Sequence, residues 1–154
     1  MIGDVSGKGV SAALFMGVTL TLLRSAINDG IKKPGEILRY VNESLAERND
    51  NCMFATLWVG LFDTKTGQLE FANGAHCPPA VISKTGKVHW IREVSGPMVG
   101  PIAGTEYENF STTLKKGDVC LLYTDGISEA MNREKKLFGE ERIEKTLELE
   151  AGSD

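Results

Sequence analysis

Cysteine is scarce in this sequence, and the few cysteines lie far apart. Cys52, Cys77 and Cys120 are the three in the chain, and no two of them form a Cys-x-x-Cys pair. A disulfide framework or a structural zinc site needs closely or regularly spaced cysteines. The pattern therefore favours reduced thiols in the cytoplasm over either of those.

An excess of basic charge is also absent. The 17 basic and 21 acidic residues give a net charge of −4, which argues against nucleic acid or an anionic membrane as the main partner. No stretch reaches the roughly 18 apolar residues of a membrane span. Residues 1–4 lack the basic start and apolar run of a secretory signal. We expect a cytoplasmic domain with no membrane contact.

The sequence has no internal repeat, low-complexity tract or linker. Its 154 residues are 42% hydrophobic and 25% charged, which is typical of one globular domain with a buried core. We therefore treat residues 1–154 as a single domain.

Hydrophobic periodicity predicts helices first and strands afterwards. Residues 1–6 are typical of a strand end, and helices are predicted at about 11–29 and 34–48. Few polar residues remain in the first helix, so we expect most of its faces to be buried. Strands are predicted at 53–62, 68–73, 80–83, 88–92, 107–114 and 119–124, followed by a short helix from 127 and another at about 140–150. This order predicts an α+β fold with helices packed on antiparallel sheets.

Two predicted strands end in the same way, with an aspartate before a glycine-containing helix start. Asp4 precedes Ser6–Gly9, and Asp125 precedes Gly126. If the two strands are neighbours, the carboxylates converge, and a divalent cation removes their repulsion. Oxygen ligands favour Mg²⁺ or Mn²⁺. Asp-Gly is also a common turn, and an aspartate before a helix is a common N-cap, so both interpretations stay open.

Four blocks of the sequence resemble the metal-dependent PPM-type serine/threonine phosphatases, in the bacterial branch related to SpoIIE. The first block is Gly3–Val10 with Ala12-Ala13, which resembles the family's GDVSGKG-x-x-AA pattern. The others are Met53–Thr56 with Phe71–His76, Gly117-Asp118 with Tyr123–Ala130, and Phe138–Arg142. Each block alone is a weak signal, but four in the same order are specific.

The resemblance implies an antiparallel β-sandwich flanked by helices and two Mn²⁺ or Mg²⁺ ions at one end of it. It implies that Asp4 bridges both ions, that the Val5 main-chain carbonyl is a further ligand, and that Asp125 binds one ion. No side-chain nucleophile is implied, because water activated by the metal attacks phosphorus. Lys8 is a candidate for binding the substrate phosphate as a point charge, or else a solvated loop residue.

The sequence departs from the family pattern at both ends. The family has an Asp-x-x-Asp block upstream and an Asp-Asp-x-Thr block downstream, so we expect an incomplete domain that lacks its first and last strands. Exposed sheet edges would then favour self-association. Within the chain, Gly74-Ala75 reverses the usual Ala-Gly order, which predicts backbone strain at Ala75. His76 is a candidate for binding phosphate or metal, or else a loop residue bonded to the backbone, and Glu129 is expected to lie on a helix surface or form a hydrogen bond rather than bind metal.

The function that the resemblance implies is hydrolysis of phosphoserine or phosphothreonine in a protein substrate, notably a bacterial anti-sigma-factor antagonist. The alternative is a non-catalytic regulatory module of the same fold that binds a partner protein. Intact Asp4 and Asp125 favour the enzyme, and the absent acidic blocks favour the regulatory module.

Overall fold

The computed structural model describes residues 1–47 and 49–150, and these form two compact units. The first unit contains residues 1–76 and 93–112, and the second contains residues 77–92 with the chain from Thr113 onward. In chain order the elements are β1 Ile2–Val5, α1 Val10–Asn28, α2 Pro34–Ala46, β2 Ala55–Phe62, β3 Gln68–Gly74, β4 Ala80–Ile82, β5 Val88–Trp90, β6 Phe110–Thr113, β7 Val119–Leu121, α3 Asp125–Ser128 and α4 Gly139–Glu150.

A four-stranded sheet in the order β1-β2-β3-β6 organises the first unit. β1 and β3 both run antiparallel to β2. The register places Asp4 opposite Thr56, and Trp58 between Ile2 and Asn73. Since side chains alternate between the two faces of a strand, these five residues share one face of the sheet.

The other face of this sheet carries the core of the first unit. Ala55, Leu57 and Val59 alternate along β2 and join Ala72 of β3 in one buried cluster. The same cluster includes residues of α1 and α2 and of the segment after β5, namely Leu23, Ala26, Ile37, Leu38, Val41, Leu45, Val99 and Tyr107. Two helices packed on one sheet face therefore hold this unit together.

A buried asparagine on α2 ties that helix to the loop around residue 100. The Asn42 side chain donates to the carbonyl of Ile102 at 2.8 Å and accepts from the backbone N–H of Gly100 at 2.8 Å. It is fully buried. The amide thus satisfies loop backbone groups that would otherwise be left unpaired in the interior.

Helix α1 does not have the burial that its composition predicted. Thr19, Leu23 and Ala26 are buried, but Leu14 and Val18 are exposed. The expectation that most faces are buried was wrong, because α2 and the sheet cover only one side of the helix.

The expectation that no apolar stretch is long enough to span a membrane was wrong for this helix. Helix Val10–Asn28 has an 18-residue window with a mean hydropathy of 1.7, which is long and apolar enough to span a membrane by length and composition alone. Core helices of soluble proteins satisfy the same criterion, and α1 packs on α2 and β1.

The second unit is built on a three-stranded antiparallel sheet in the order β5-β4-β7. Helix α4 contacts β5 and the segment just after it through polar groups. The Trp90 indole N–H donates to Glu144 at 3.0 Å, and Arg92 pairs with Glu140 at 2.9 Å. The Arg92 guanidinium also lies 5.2 Å from the centre of the Trp90 ring, a cation–π contact.

The predicted α+β architecture with antiparallel sheets is confirmed, although several strands are shorter than predicted. β2 begins at Ala55 because the two N–H groups before it bond to side chains, that of Met53 to Asn49 at 2.8 Å and that of Phe54 to Ser6 at 2.9 Å. β7 ends at Leu121 because its partner β4 has three residues. The predicted end of the second helix at Arg48 lies outside the described residues, and α2 ends at Ala46.

Candidate functional site

The loop between β1 and α1 is fixed by hydrogen bonds at its start and by glycines at its turns. Ser6 donates its N–H to the carbonyl of Phe54 at 2.8 Å, and its hydroxyl accepts the N–H of Phe54 at 2.9 Å. Gly7 and Gly9 both have a φ of +82°, which side-chain-bearing residues rarely adopt. The glycines of the motif are therefore required by the backbone of this loop.

Asp4 lies within β1. It was predicted at the end of the strand, but the strand ends one residue later, at Val5. The strand continues to Val5 because Val5 pairs with Ala55 of β2. The Asp4 carboxylate is exposed, and one of its oxygens accepts the N–H of Val5 at 2.9 Å. The backbone of Asp4 is thus held by the sheet, while its side chain is accessible to solvent.

The two other predicted residues of the first block lie close to Asp4 in the chain. Val5 is half-buried at the end of β1, and its aliphatic side chain packs against the core cluster. Lys8 is exposed between Gly7 and Gly9. Lys8 is therefore accessible to a ligand in solution, as a phosphate-binding lysine must be.

Asp125 is the first residue of the short helix α3 in the second unit. Its carboxylate is exposed, and its backbone carbonyl accepts the N–H of Glu129 at 2.7 Å. The predicted short helix thus begins two residues earlier than expected. Glu129 is the C-cap of this helix, exposed to solvent.

Neither aspartate is an N-cap, which was one of the two structural alternatives. The N-cap of α1 is Gly9, and that of α3 is Thr124. Both carboxylates are exposed, Asp4 in β1 and Asp125 in the first turn of α3. Their chemistry fits a hard divalent cation such as Mg²⁺ or Mn²⁺.

Cys77 is a neighbour of Asp125 that sequence analysis did not identify as part of the site. Burial raises the pKa of the Cys77 thiol, and the negative charge of Asp125 raises it further. The thiol is therefore protonated at neutral pH. No spacing rule could have paired residues 77 and 125, because the distance between them is set by the tertiary structure of the second unit.

A polar network on the Asp4 face of the four-stranded sheet was also missed. The Thr56 hydroxyl and Nδ1 of His76 are 2.9 Å apart. The buried Asn73 side chain accepts the N–H of His76 at 2.7 Å and donates to its carbonyl at 3.1 Å. Ala75, inside this turn, has a φ of 57°, which confirms the predicted left-handed backbone at that position.

Asp4 and Asp125 belong to different compact units, so the expectation that their carboxylates converge stays a prediction. Among residues 1–47 and 49–150 no group of three or more His, Cys, Asp or Glu side chains forms a ready metal cluster. A cation bound by these residues would therefore take part of its coordination from backbone oxygen or water.

The fold is that of bacterial PP2C-type phosphatase domains. The structure of the RsbU and RsbW domains of Rv1364c from Mycobacterium tuberculosis matches with a TM-score of 0.79 and 29% identity, over 97% of this chain and 40% of that one. The family described as Stage II sporulation protein E (SpoIIE) matches residues 1–153. The chain belongs to this family.

Two curated proteins are similar to this chain in sequence. Protein IcfG of Synechocystis sp. is 31% identical over 96% of this chain, and phosphoserine phosphatase RsbU of Bacillus subtilis is 30% identical over 83%. The matches cover 27% of IcfG and 38% of RsbU, so the chain corresponds to a minor part of each relative.

Proposed function

We propose that this chain is a protein phosphatase domain that hydrolyses phosphoserine or phosphothreonine with the help of Mn²⁺ or Mg²⁺. The observation that carries the proposal is the state of Asp4 and Asp125 within a chain of the SpoIIE family. Both carboxylates are exposed and neither is the N-cap of a helix; Asp4 lies in β1, and Asp125 is the first residue of α3. Similarity to the phosphoserine phosphatase RsbU supports the reaction type.

The proposed cation ligands are the carboxylates of Asp4 and Asp125 and the main-chain carbonyl of Val5. A divalent cation held by these residues would neutralise phosphate charge and supply an activated water. Without it, the two aspartates repel a phosphate dianion. Lys8 contributes a positive charge on a loop whose shape is set by Gly7 and Gly9, and we assign it to phosphate binding.

We further propose that the substrate is a phosphorylated protein of a bacterial partner-switching system, such as an anti-sigma-factor antagonist. Similarity to RsbU, and to a structure that contains RsbU and RsbW domains, supports this class of substrate. A cytoplasmic location is part of the proposal, and the three free cysteines are consistent with it. Self-association stays a prediction. In the described part of the chain the edge strands are β1 and β6 of one sheet and β5 and β7 of the other.

The test is hydrolysis of p-nitrophenyl phosphate with Mn²⁺ by the wild type, Asp4→Asn, Asp125→Asn and a matched control, Asp50→Asn. Asp50 is an exposed aspartate in a turn. We expect Asp4→Asn and Asp125→Asn each to lose at least about 100-fold in rate, since metal catalysis supplies several kcal/mol. Asp50→Asn should keep the wild-type rate, and EDTA should abolish hydrolysis.

Equal rates in all four proteins would contradict the assignment of both aspartates. The non-catalytic alternative makes a different prediction, namely no hydrolysis at any Mn²⁺ concentration together with binding of a protein partner that Asp4→Asn does not weaken.

A further inference from the structure

The face of the four-stranded sheet that carries Asp4 also carries the Thr56 hydroxyl. Asp4 and Thr56 are directly opposite each other on β1 and β2. In an antiparallel pair, side chains directly opposite project on the same side, with their Cβ atoms about 4.5–5.5 Å apart. Thr56 is therefore the residue of β2 directly across from Asp4 on this face.

The Thr56 hydroxyl is held in place by His76. Its oxygen lies 2.9 Å from Nδ1 of the imidazole, and the imidazole residue is only 6% exposed. A β-branched threonine has few χ1 rotamers, so one strong partner is enough to fix the hydroxyl. If Nδ1 carries no proton the Thr56 hydroxyl donates to it, and if Nδ1 is protonated the Thr56 oxygen accepts its hydrogen, so the oxygen is held in both cases.

The position of His76 is determined in turn by a buried clamp. The Asn73 side chain binds both the N–H and the carbonyl of His76, and Asn73 itself is 1% exposed. Asn73 is anchored by Ser95, whose hydroxyl accepts the Asn73 N–H at 2.8 Å. The turn retains Ala75 at a φ of 57°, at a cost of roughly 1–2 kcal/mol for a residue with a Cβ. The buried hydrogen bonds of Asn73 therefore hold the backbone of His76 in place despite this strain.

We propose that His76 is a positioning residue for Asp4. By fixing the Thr56 side chain directly across from Asp4, it limits the orientations of the Asp4 carboxylate and so raises its affinity for the divalent cation. The proposal rests on the proposed function, because it gives Asp4 the role of a metal ligand. Groups that orient a ligand in this way are typically worth about 10- to 100-fold in metal affinity.

The experiment measures Mn²⁺ binding to the 154-residue chain by calorimetry, beside kcat and KM for p-nitrophenyl phosphate. Thr56→Val removes the hydroxyl and keeps the shape, and Thr56→Ser keeps the hydroxyl. His76→Asn places a polar atom near the position of Nδ1, whereas His76→Gln places one near Nε2. Thr19→Val is the matched control, because Thr19 is a buried threonine bonded to the carbonyl of Phe15 on α1.

We expect Thr56→Val and His76→Gln to weaken Mn²⁺ binding about 10- to 100-fold and to lower kcat with little change in KM. Thr56→Ser, His76→Asn and Thr19→Val should bind Mn²⁺ as the wild type does. The double variant Thr56→Val/His76→Gln should be no worse than Thr56→Val, since both changes break the same connection.

Wild-type Mn²⁺ affinity in Thr56→Val and His76→Gln, with affinity lost in Asp4→Asn, would overturn this inference and leave the proposed function standing. No Mn²⁺ binding by the wild type would overturn both. Thermal unfolding without metal identifies variants that fail to fold. If the His76 variants do not fold, the comparison of Thr56→Val with Thr56→Ser decides the outcome.

Discussion

Left-handed backbone near the candidate site is provided by two different residue types. Gly9, the N-cap of α1, has a φ of 82° and a ψ of −157°, a conformation essentially confined to glycine. Ala75 has a φ of 57° in the turn that carries His76. Glycine adopts the backbone conformation of Gly9 without strain, whereas the methyl group of Ala75 makes its positive φ unfavourable.

We expect Ala75→Gly to stabilise the chain. Glycine relieves roughly 1–2 kcal/mol of left-handed strain, against a loss of about 0.4–1 kcal/mol from greater freedom in the unfolded chain. The net gain in the free energy of unfolding is therefore between about 0 and about 1.6 kcal/mol, measured by urea denaturation. Ala72→Gly, at a buried position of β3, should instead destabilise the chain. Destabilisation by Ala75→Gly would show that the turn is not strained.

At the scale of single residues, the sequence predicted the local backbone strain but not which side chains contact each other. The strain at Ala75 followed from the reversed Gly-Ala order, which is a local property. The contact of Thr56 with His76 did not, because it depends on the register of β2 with β3 and on a turn held by Asn73. Register is set by the packing of a whole sheet face, which no pair of residues reveals.

At the scale of elements, helix α1 shows where composition and burial separate. Leu14 is 66% exposed and Leu23 is 1% exposed, although both belong to the same apolar helix. Ala13, Leu14, Gly17 and Val18 line an open, largely apolar groove. Periodicity identified the helix correctly, but a helix that is apolar on most faces gives no signal for which face its neighbours cover.

The two leucines of α1 should therefore respond differently to substitution. Leu23→Ala is expected to cost about 2–5 kcal/mol of unfolding free energy, since it leaves a cavity in the core cluster. Leu14→Ala is expected to stay within about 0.5 kcal/mol of the wild type, because little of the side chain is buried. Urea denaturation of both variants checks this, and similar losses in the two would mean that both faces of the helix are covered.

At the scale of the whole molecule, the sequence predicted the α+β architecture and the order of its elements. The spacing of apolar residues and the turn glycines carry that information locally. Asp4 and Asp125, by contrast, are 121 positions apart, and each reaches its place through a separate compact unit. The predicted convergence of their carboxylates depends on tertiary structure, which the spacing of residues along the chain does not give.

Stability of the whole chain should fall at high pH because of its buried tyrosines. Burial raises the pKa of Tyr107 above its usual value of 10, and the Glu43 carboxylate adds to this. Burial also raises the pKa of Tyr123 to about 12, with a further contribution from Glu140. Both groups therefore hold their protons more tightly in the folded chain than in the unfolded one.

The direction of the pH effect follows from this difference in proton binding. Below pH 10 both states are protonated at these tyrosines, so the stabilisation is fully present. From pH 10 to about 12 the unfolded chain loses these protons first, so the free energy of unfolding decreases. Urea denaturation at several pH values from 8 upward should show the decrease.

Tyr107→Phe and Tyr123→Phe should each make the fall in unfolding free energy with pH shallower, while Tyr40→Phe, at a half-buried position on α2, serves as the control. A slope unchanged in the Tyr107→Phe/Tyr123→Phe double variant would show that other groups govern alkaline unfolding.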